Sequence, residues 1–369
     1  MQVPDNNDKE SHEVAGASTT SSPEKNYYFA FVRWCGKLIA YILLMAVGGL
    51  YGVGAYKIFS SLFSSPQNGA SGLMLTSFLA GIPLCIGLLT GHIAKKKALG
   101  GWITASGLSA LSIALFVFAA GALLREGMIC IVMAIPLFII MGVLGAICGL
   151  IFSATNKNAG KWCSAFLLLP LLLGTAEQQI TPAATTQIIQ KDILINASPE
   201  TIWQLINHPQ DIHPEELKSG FAYRIGVPFP IQATTLEGKV GGKRELVWQR
   251  GITFEEEITA WELNRHIAWT YKFNADSFPS GSLDDHIVIG GKYFNLEDTS
   301  YTLTPEAHGT RLQIKVKTRV STNFNWYAEG WANFLVGDTA RTILGFYKNR
   351  AENINTSTSG KSKILEPKA

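Results

Sequence analysis

Charged side chains are almost missing from the first half of this 369-residue chain. Between Leu38 and Ala94 the only Asp, Glu, Lys, Arg or His residues are Lys57 and His92. None lies in Ala98–Leu124, Gly127–Thr155 or Trp162–Ala176. Such runs exclude an ordinary cytosolic globular protein and a disordered chain. Cysteine is missing from the second half: Cys35, Cys85, Cys130, Cys148 and Cys163 all lie in or beside the apolar runs. No Cys-x-x-Cys pair or Cys/His cluster has metal spacing, so neither a disulfide scaffold nor a metal site is indicated, and no cofactor is expected. A strong excess of either charge is missing as well, with 31 Lys+Arg against 28 Asp+Glu. A net charge of +3 carries no nucleic-acid signature. Phosphate-binding loops, G-x-G-x-x-G, G-x-S-x-G and H-E-x-x-H are all absent.

Apolar length is what the first half has. A bilayer core about 30 Å thick needs about 20 mainly apolar residues per spanning helix. Leu38–Phe59, Gly72–Ala94, Trp102–Leu124 and Met128–Ser153 meet that requirement. A fifth run, Trp162–Ala176, is shorter and contains Pro170, so residues 34–176 predict four to five transmembrane helices. Small-residue patterns, Gly48-x-x-x-Gly52 and Gly145-x-x-x-Gly149, suit close helix packing. Lys25, Arg33, Lys37, Lys95, Lys96, Lys97, Lys157 and Lys161 fall on one set of loops, and only Lys57 and Arg125 on the other. Basic residues favour the cytoplasmic side. This charge pattern places the N-terminus in the cytoplasm; with five spans the C-terminal domain is extracytoplasmic, and if Trp162–Ala176 does not span, the domain is cytoplasmic. Intramembrane charge, the usual mark of an ion path, is nearly absent. Disordered tails are expected at 1–25 and 353–369, and a linker at 177–185.

From Gln178 onward the charges of a soluble domain appear, 20 Lys+Arg against 21 Asp+Glu. Thr186–Ala197 reads as a strand. Ser198-Pro199-Glu200 reads as a helix start, with Ser as N-cap and Pro at the first helical position. A second short helix begins at Pro214. Six strands follow: Phe229–Leu236, Lys243–Arg250, Ile252–Glu262, His266–Phe273, Lys292–Thr304 and Arg311–Val320. The long connection Asn274–Gly291 suits a lid or binding loop. After Val320 the period changes, and Asn323–Glu352 reads as one helix with Ala332, Leu335, Thr339, Ile343 and Phe346 on one stripe. A twisted antiparallel sheet of this length wraps such a helix and leaves an apolar cavity between them.

This order, the opening ILINASPETIWQLINHP and the aromatic-rich closing helix resemble the START-like (SRPBCC, helix-grip) superfamily of polyketide cyclases/dehydrases and lipid-transfer domains. The run FAYRIGVPFPIQATTLEGKVGGKRELVWQRGITFEEEITAWE resembles bacterial membrane-tethered members. The resemblance covers residues 186–352 and implies an α+β helix-grip domain behind an α-helical membrane bundle in a bacterial inner membrane. It implies a lipid or other hydrophobic small molecule as ligand.

Strand alternation puts Glu256 on the same face as Ile252, Phe254 and Ile258. A carboxylate there is costly unless paired, so it either serves a site or pairs with Arg244 or Arg250. Ile267, Trp269, Tyr271 and Phe273 share the next face, lining a cavity or filling a core. Asp284, Asp285 and His286 in the long loop suit acid–base work or solvation. His208 and His213 flank a turn without a third ligand. Trp326, Tyr327, Trp331 and Phe334 open the last helix, against the sheet or at a cavity mouth. Glu256, Trp269, Tyr271, His286 and Trp331 are therefore the candidate ligand-binding residues. Three functions fit: a membrane-anchored binding module, a cyclase/dehydratase using Glu256 and His286, or a structural or sensory protein whose domain binds another protein.

Overall fold

The computed structural model describes residues 23–65, 70–123, 127–283 and 288–364. Helix α1 runs from Pro23 to Leu62, and a short π turn (Ser77–Gly81) leads into α2, Ile82–Lys96. Then come α3 (Trp102–Leu123), α4 (Met128–Thr155), α5 (Ala159–Phe166) and α6 (Leu169–Glu177). Among the described residues, five segments are long and apolar enough to cross a membrane, the fifth being α5 and α6 together over Ala159–Glu177. The break between α5 and α6 falls just before Pro170, which sits in the first turn of α6 where its missing N–H costs no helical bond. The first helix is longer at both ends than the apolar run alone indicates.

Helices α2 and α4 cross in close contact, and glycine makes this possible. A Cβ on Gly145 would stand 2.1 Å from the Leu84 carbonyl oxygen, and one on Gly87 2.0 Å from that of Gly142. Gly149 and Gly91 meet the facing backbone in the same way. The notch is thus reciprocal, with small residues on both helices. Gly52 faces the Phe116 ring of α3 instead.

The C-terminal part begins with β1 (Thr185–Ile195) and α7 (Pro199–Asn207). Ser198 Oγ accepts from the Thr201 N–H at 3.3 Å, as an N-cap does. Helix α7 buries Ile202, Trp203 and Ile206, each worth about 1.5–3 kcal/mol when removed from water. Two short helices follow, α8 (Pro214–Leu217), started by a capping box at His213, and α9 (Phe221–Arg224). Sequence periodicity does not reveal α9, because four residues are too few to show a period. Six strands come next: β2 (Pro230–Thr235), β3 (Lys243–Trp248), β4 (Thr253–Glu262), β5 (His266–Lys272), β6 (Phe294–Glu306) and β7 (Gly309–Val320). All neighbours are antiparallel, in the order β1-β7-β6-β5-β4-β3-β2. The chain closes with α10, Asn325–Ile364, which continues past the expected end at Glu352. Its Ala340, Leu344, Phe346, Tyr347 and Ala351 share one core with Ile195, Ile267, Leu312 and Ile314 from the sheet and with Trp203 of α7.

Half of the long connection is packed rather than open. Phe278 and Leu283 rest on a second cluster with Leu246, Ile252 and Phe254. Ser277 accepts from the Thr253 N–H through its carbonyl. Asp284, Asp285 and His286 lie outside the described residues.

The bundle and the sheet are bonded to each other. Tyr293, just before β6, accepts from the Ser71 N–H at 2.9 Å and donates to the Ser71 carbonyl at 3.2 Å. Glu177 at the end of α6 accepts from the N–H groups of Thr76 (2.6 Å) and Ser77 (2.8 Å) and from Asn323 Nδ2 (3.0 Å). The expected linker therefore begins with a structural junction.

Candidate functional site: a cavity between sheet and helix

Register builds the polar centre of the cavity. Arg244 of β3 lies directly opposite Glu256 of β4, and Glu256 directly opposite Tyr271 of β5. Opposite residues in an antiparallel pair share a face. Arg244 Nη1 donates to Glu256 Oε2 at 2.7 Å, with both side chains almost wholly buried. Two further donors of Arg244 are placed as well: Nη2 donates to the Ile206 carbonyl at 2.9 Å and Nε to Thr235 Oγ1 at 3.1 Å. Thr235 in turn donates to Asn207 Oδ1 at 2.7 Å. The guanidinium also lies over the Trp269 ring, 4.1 Å from its centre. Of the two arginines that could pair with Glu256, register chooses Arg244. Arg250 sits in a turn at φ 60° and donates to the Ser282 carbonyl.

Burial pushes the Glu256 carboxyl up to about 7, against the opposing pull of Arg244. Burial likewise raises Tyr271, whose hydroxyl meets Thr299 Oγ1 at 2.6 Å. Tyr223 is raised for the same reason, so its hydroxyl stays a donor. That hydroxyl and the Trp248 indole N–H are buried without a hydrogen-bond partner.

Around this centre is a cavity of about 390 Å³. Glu256, Arg244, Trp269 and Tyr271 line it, as do Tyr223 and Trp248. The predicted helix stripe lines the other wall, through Ala332, Leu335, Thr339, Ile343 and Phe346. The curled sheet grips α10 across this space. The fold is a helix grip, a curled antiparallel sheet closed around one long helix.

Trp331 stands apart from the cavity lining. One residue before Ala332, it is turned about 100° around the helix, and it packs edge-on against Tyr327 and Phe334. Tyr327 does line the cavity, and its hydroxyl donates to the Met133 carbonyl of α4. Trp326 is exposed. Strand alternation places Glu256, Trp269 and Tyr271 on inward faces, and all three line the cavity. The sequence pattern leaves Tyr223 and Trp248 unmarked, since an unpartnered donor is visible only once every neighbour is placed. Among the described residues no group of three His, Cys, Asp or Glu side chains is placed to hold a metal.

No protein-family model and no curated protein matches the sequence. Solved structures match the C-terminal part. A START superfamily protein from Mycobacterium smegmatis is 14% identical, with 45% of this chain and 98% of that chain covered and a TM-score of 0.31. A protein of unknown function from Staphylococcus aureus is 15% identical, covering 48% and 98%, with a TM-score of 0.30. The Aha1 dimer from Colwellia psychrerythraea is 18% identical, covering 43% and 98%, with a TM-score of 0.21. The fold assignment stands on strand order, register and the gripped helix.

Proposed function

We propose that this protein is a membrane-anchored START-like binding module that holds a hydrophobic small molecule or lipid between its sheet and α10. One observation carries the reading: a cavity of about 390 Å³, walled by apolar side chains, with a single internally neutralised ion pair at its centre. That size and lining suit a small-molecule site. Glu256 is tied to Arg244, and Arg244 to three further groups, so the pair orients and selects better than it reacts. Loop charge supports five spans with a cytoplasmic N-terminus and an extracytoplasmic domain.

The test is native mass spectrometry of the full chain in lipid nanodiscs. The wild type should carry an apolar molecule at near-stoichiometric amount. Ala332→Trp, which fills the cavity from α10, should lose it. A wild type that is empty and takes up nothing from a lipid panel would sink the reading. The raised carboxyl of Glu256 favours one competing reading, an acid–base enzyme. Glu256→Gln separates the two: a binding module keeps its ligand with altered preference, whereas an enzyme keeps binding and loses product.

A further inference from the structure

The cavity does not end within the START-like domain. Its far wall consists of Tyr56 of α1, Phe78 of the π turn, Phe116 and Ala120 of α3, and Ala134 and Leu137 of α4. These residues belong to segments long and apolar enough to span a membrane. The same void therefore touches the gripped helix and the hydrocarbon-spanning part of the bundle.

Helix α4 borders the void along its first two turns, where Ile129, Ile131, Met133 and Ala134 line it. Residues 129–135 are all half-buried, and the first fully buried side chain of α4 is Leu137. Seven residues make about two turns. A helix packed on one side buries a face in each turn, so these two turns stand beside open space. Pro136 follows them inside the helix and offers no N–H to the preceding turn, which makes this a natural bending point. The Tyr327 hydroxyl of α10 holds the segment through the Met133 carbonyl. Nearby Phe118, Leu123 and Met128 are largely exposed, as a lipid-facing surface would be. The domain's rim is meanwhile fastened to the bundle at Tyr293–Ser71 and at Glu177–Asn323.

The polar groups narrow the occupant. Arg244 and Glu256 neutralise each other, and an ionised head group would lose its hydration there without a partner. Tyr223 Oη and Trp248 Nε1 are hydrogen-bond donors left without acceptors. A buried donor of this kind is complemented by an acceptor oxygen.

We propose that the cavity is filled from within the bilayer. A neutral lipid with an apolar chain and a carbonyl-type oxygen passes beside the first two turns of α4. Its oxygen accepts from Tyr223 or Trp248, and its chain trails along α3 and α4. This rests on the binding reading above and adds the route and the ligand class.

A diazirine-bearing monoacylglycerol tests it, with the full chain in phosphatidylcholine vesicles and labelled peptides mapped by mass spectrometry. With probe preloaded in the bilayer, label should appear both in 116–137 and in the cavity segments 266–273 and 328–347. Ala134→Trp and, independently, Val117→Trp should cut cavity labelling at least tenfold, and Phe118→Trp on the exposed face should not. Two blocking variants keep the test alive if one fails to fold. Equal cavity labelling in wild type and both folded blocking variants would overturn the route and leave the binding reading standing. So would cavity labelling that precedes bilayer uptake when the probe is presented on cyclodextrin. Absence of cavity labelling in every arm would overturn both.

Discussion

The Arg244–Glu256 pair makes the sharpest demand on the structure. Both side chains are nearly inaccessible, 3% and 2% exposed, so water screens little of their interaction. Removing one partner of a buried pair generally costs about 3–5 kcal/mol, because the other charge is stranded. The two single variants should nevertheless differ. Glu256→Leu strands a guanidinium, which cannot release its proton. Arg244→Met strands a carboxyl, which can take one up. The Glu256→Leu penalty should therefore shrink as pH rises from the ordinary carboxylate range towards 7, where the wild type itself gives up the Glu256 proton, and the Arg244→Met penalty should grow as pH rises further. The double variant removes both charges but leaves the Ile206 carbonyl without its donor. An orphaned buried acceptor costs about 1–3 kcal/mol, and the double variant should lie that far below wild type rather than at the sum of the singles. For a domain of this size about 1 kcal/mol moves Tm by roughly 2–4 °C. Each single should thus lower it by roughly 6–20 °C, and the double by far less than the two shifts combined. The assay is thermal unfolding of the full chain in nanodiscs, followed by tryptophan fluorescence, to which Trp269 beneath the guanidinium contributes. Single penalties below about 1 kcal/mol, or strict additivity in the double variant, would refute the account of a closed buried pair.

Three further outcomes follow from the same geometry. Glu256 binds its proton more tightly folded than unfolded, so its contribution to stability is greatest at low pH and declines as pH rises from the ordinary carboxylate range towards 7; denaturation midpoints of wild type and Glu256→Gln between pH 5 and pH 8, roughly the range where this carboxyl titrates, should converge on the variant's flatter profile, and parallel profiles would contradict the shift. Tyr223→Phe removes a hydroxyl buried without a partner, so the ligand-free protein should gain roughly 1 kcal/mol while retention of a carbonyl-bearing lipid falls about tenfold; a stability loss with unchanged retention would show that the hydroxyl is already satisfied. Gly145→Val must drive α2 from α4, since even a Cβ there meets the Leu84 carbonyl oxygen at 2.1 Å, whereas Gly107→Val has nothing within 4 Å; size-exclusion profiles in detergent should show aggregation or loss for the first and a single peak for the second.

The strands were legible because each alternates and is bounded by a turn, and alternation alone placed Glu256 inward. Its partner was legible only as a choice of two, Arg244 or Arg250, because register between β3 and β4 depends on the whole sheet and not on either strand. Trp331 misled for a local reason: at 3.6 residues per turn a one-residue offset changes the face. The glycines of α4 were visible as a pattern, but their counterparts Gly87 and Gly91 acquire meaning only once α2 lies across them. Composition hid most about the site. It divides the chain sharply at Gln178, and reading each half alone makes the first an anchor and the second a complete domain. Tyr327 then looks like helix packing, and Tyr293 like an ordinary strand residue. In the folded chain both bond to the bundle, and Phe116, Ala134 and Leu137 wall the cavity that Glu256 and Trp269 line from the other side. A domain cut at Gln178 would open that apolar wall to water. The cavity is therefore a property of the joined halves, and the apolar helices of the first half form one of its walls.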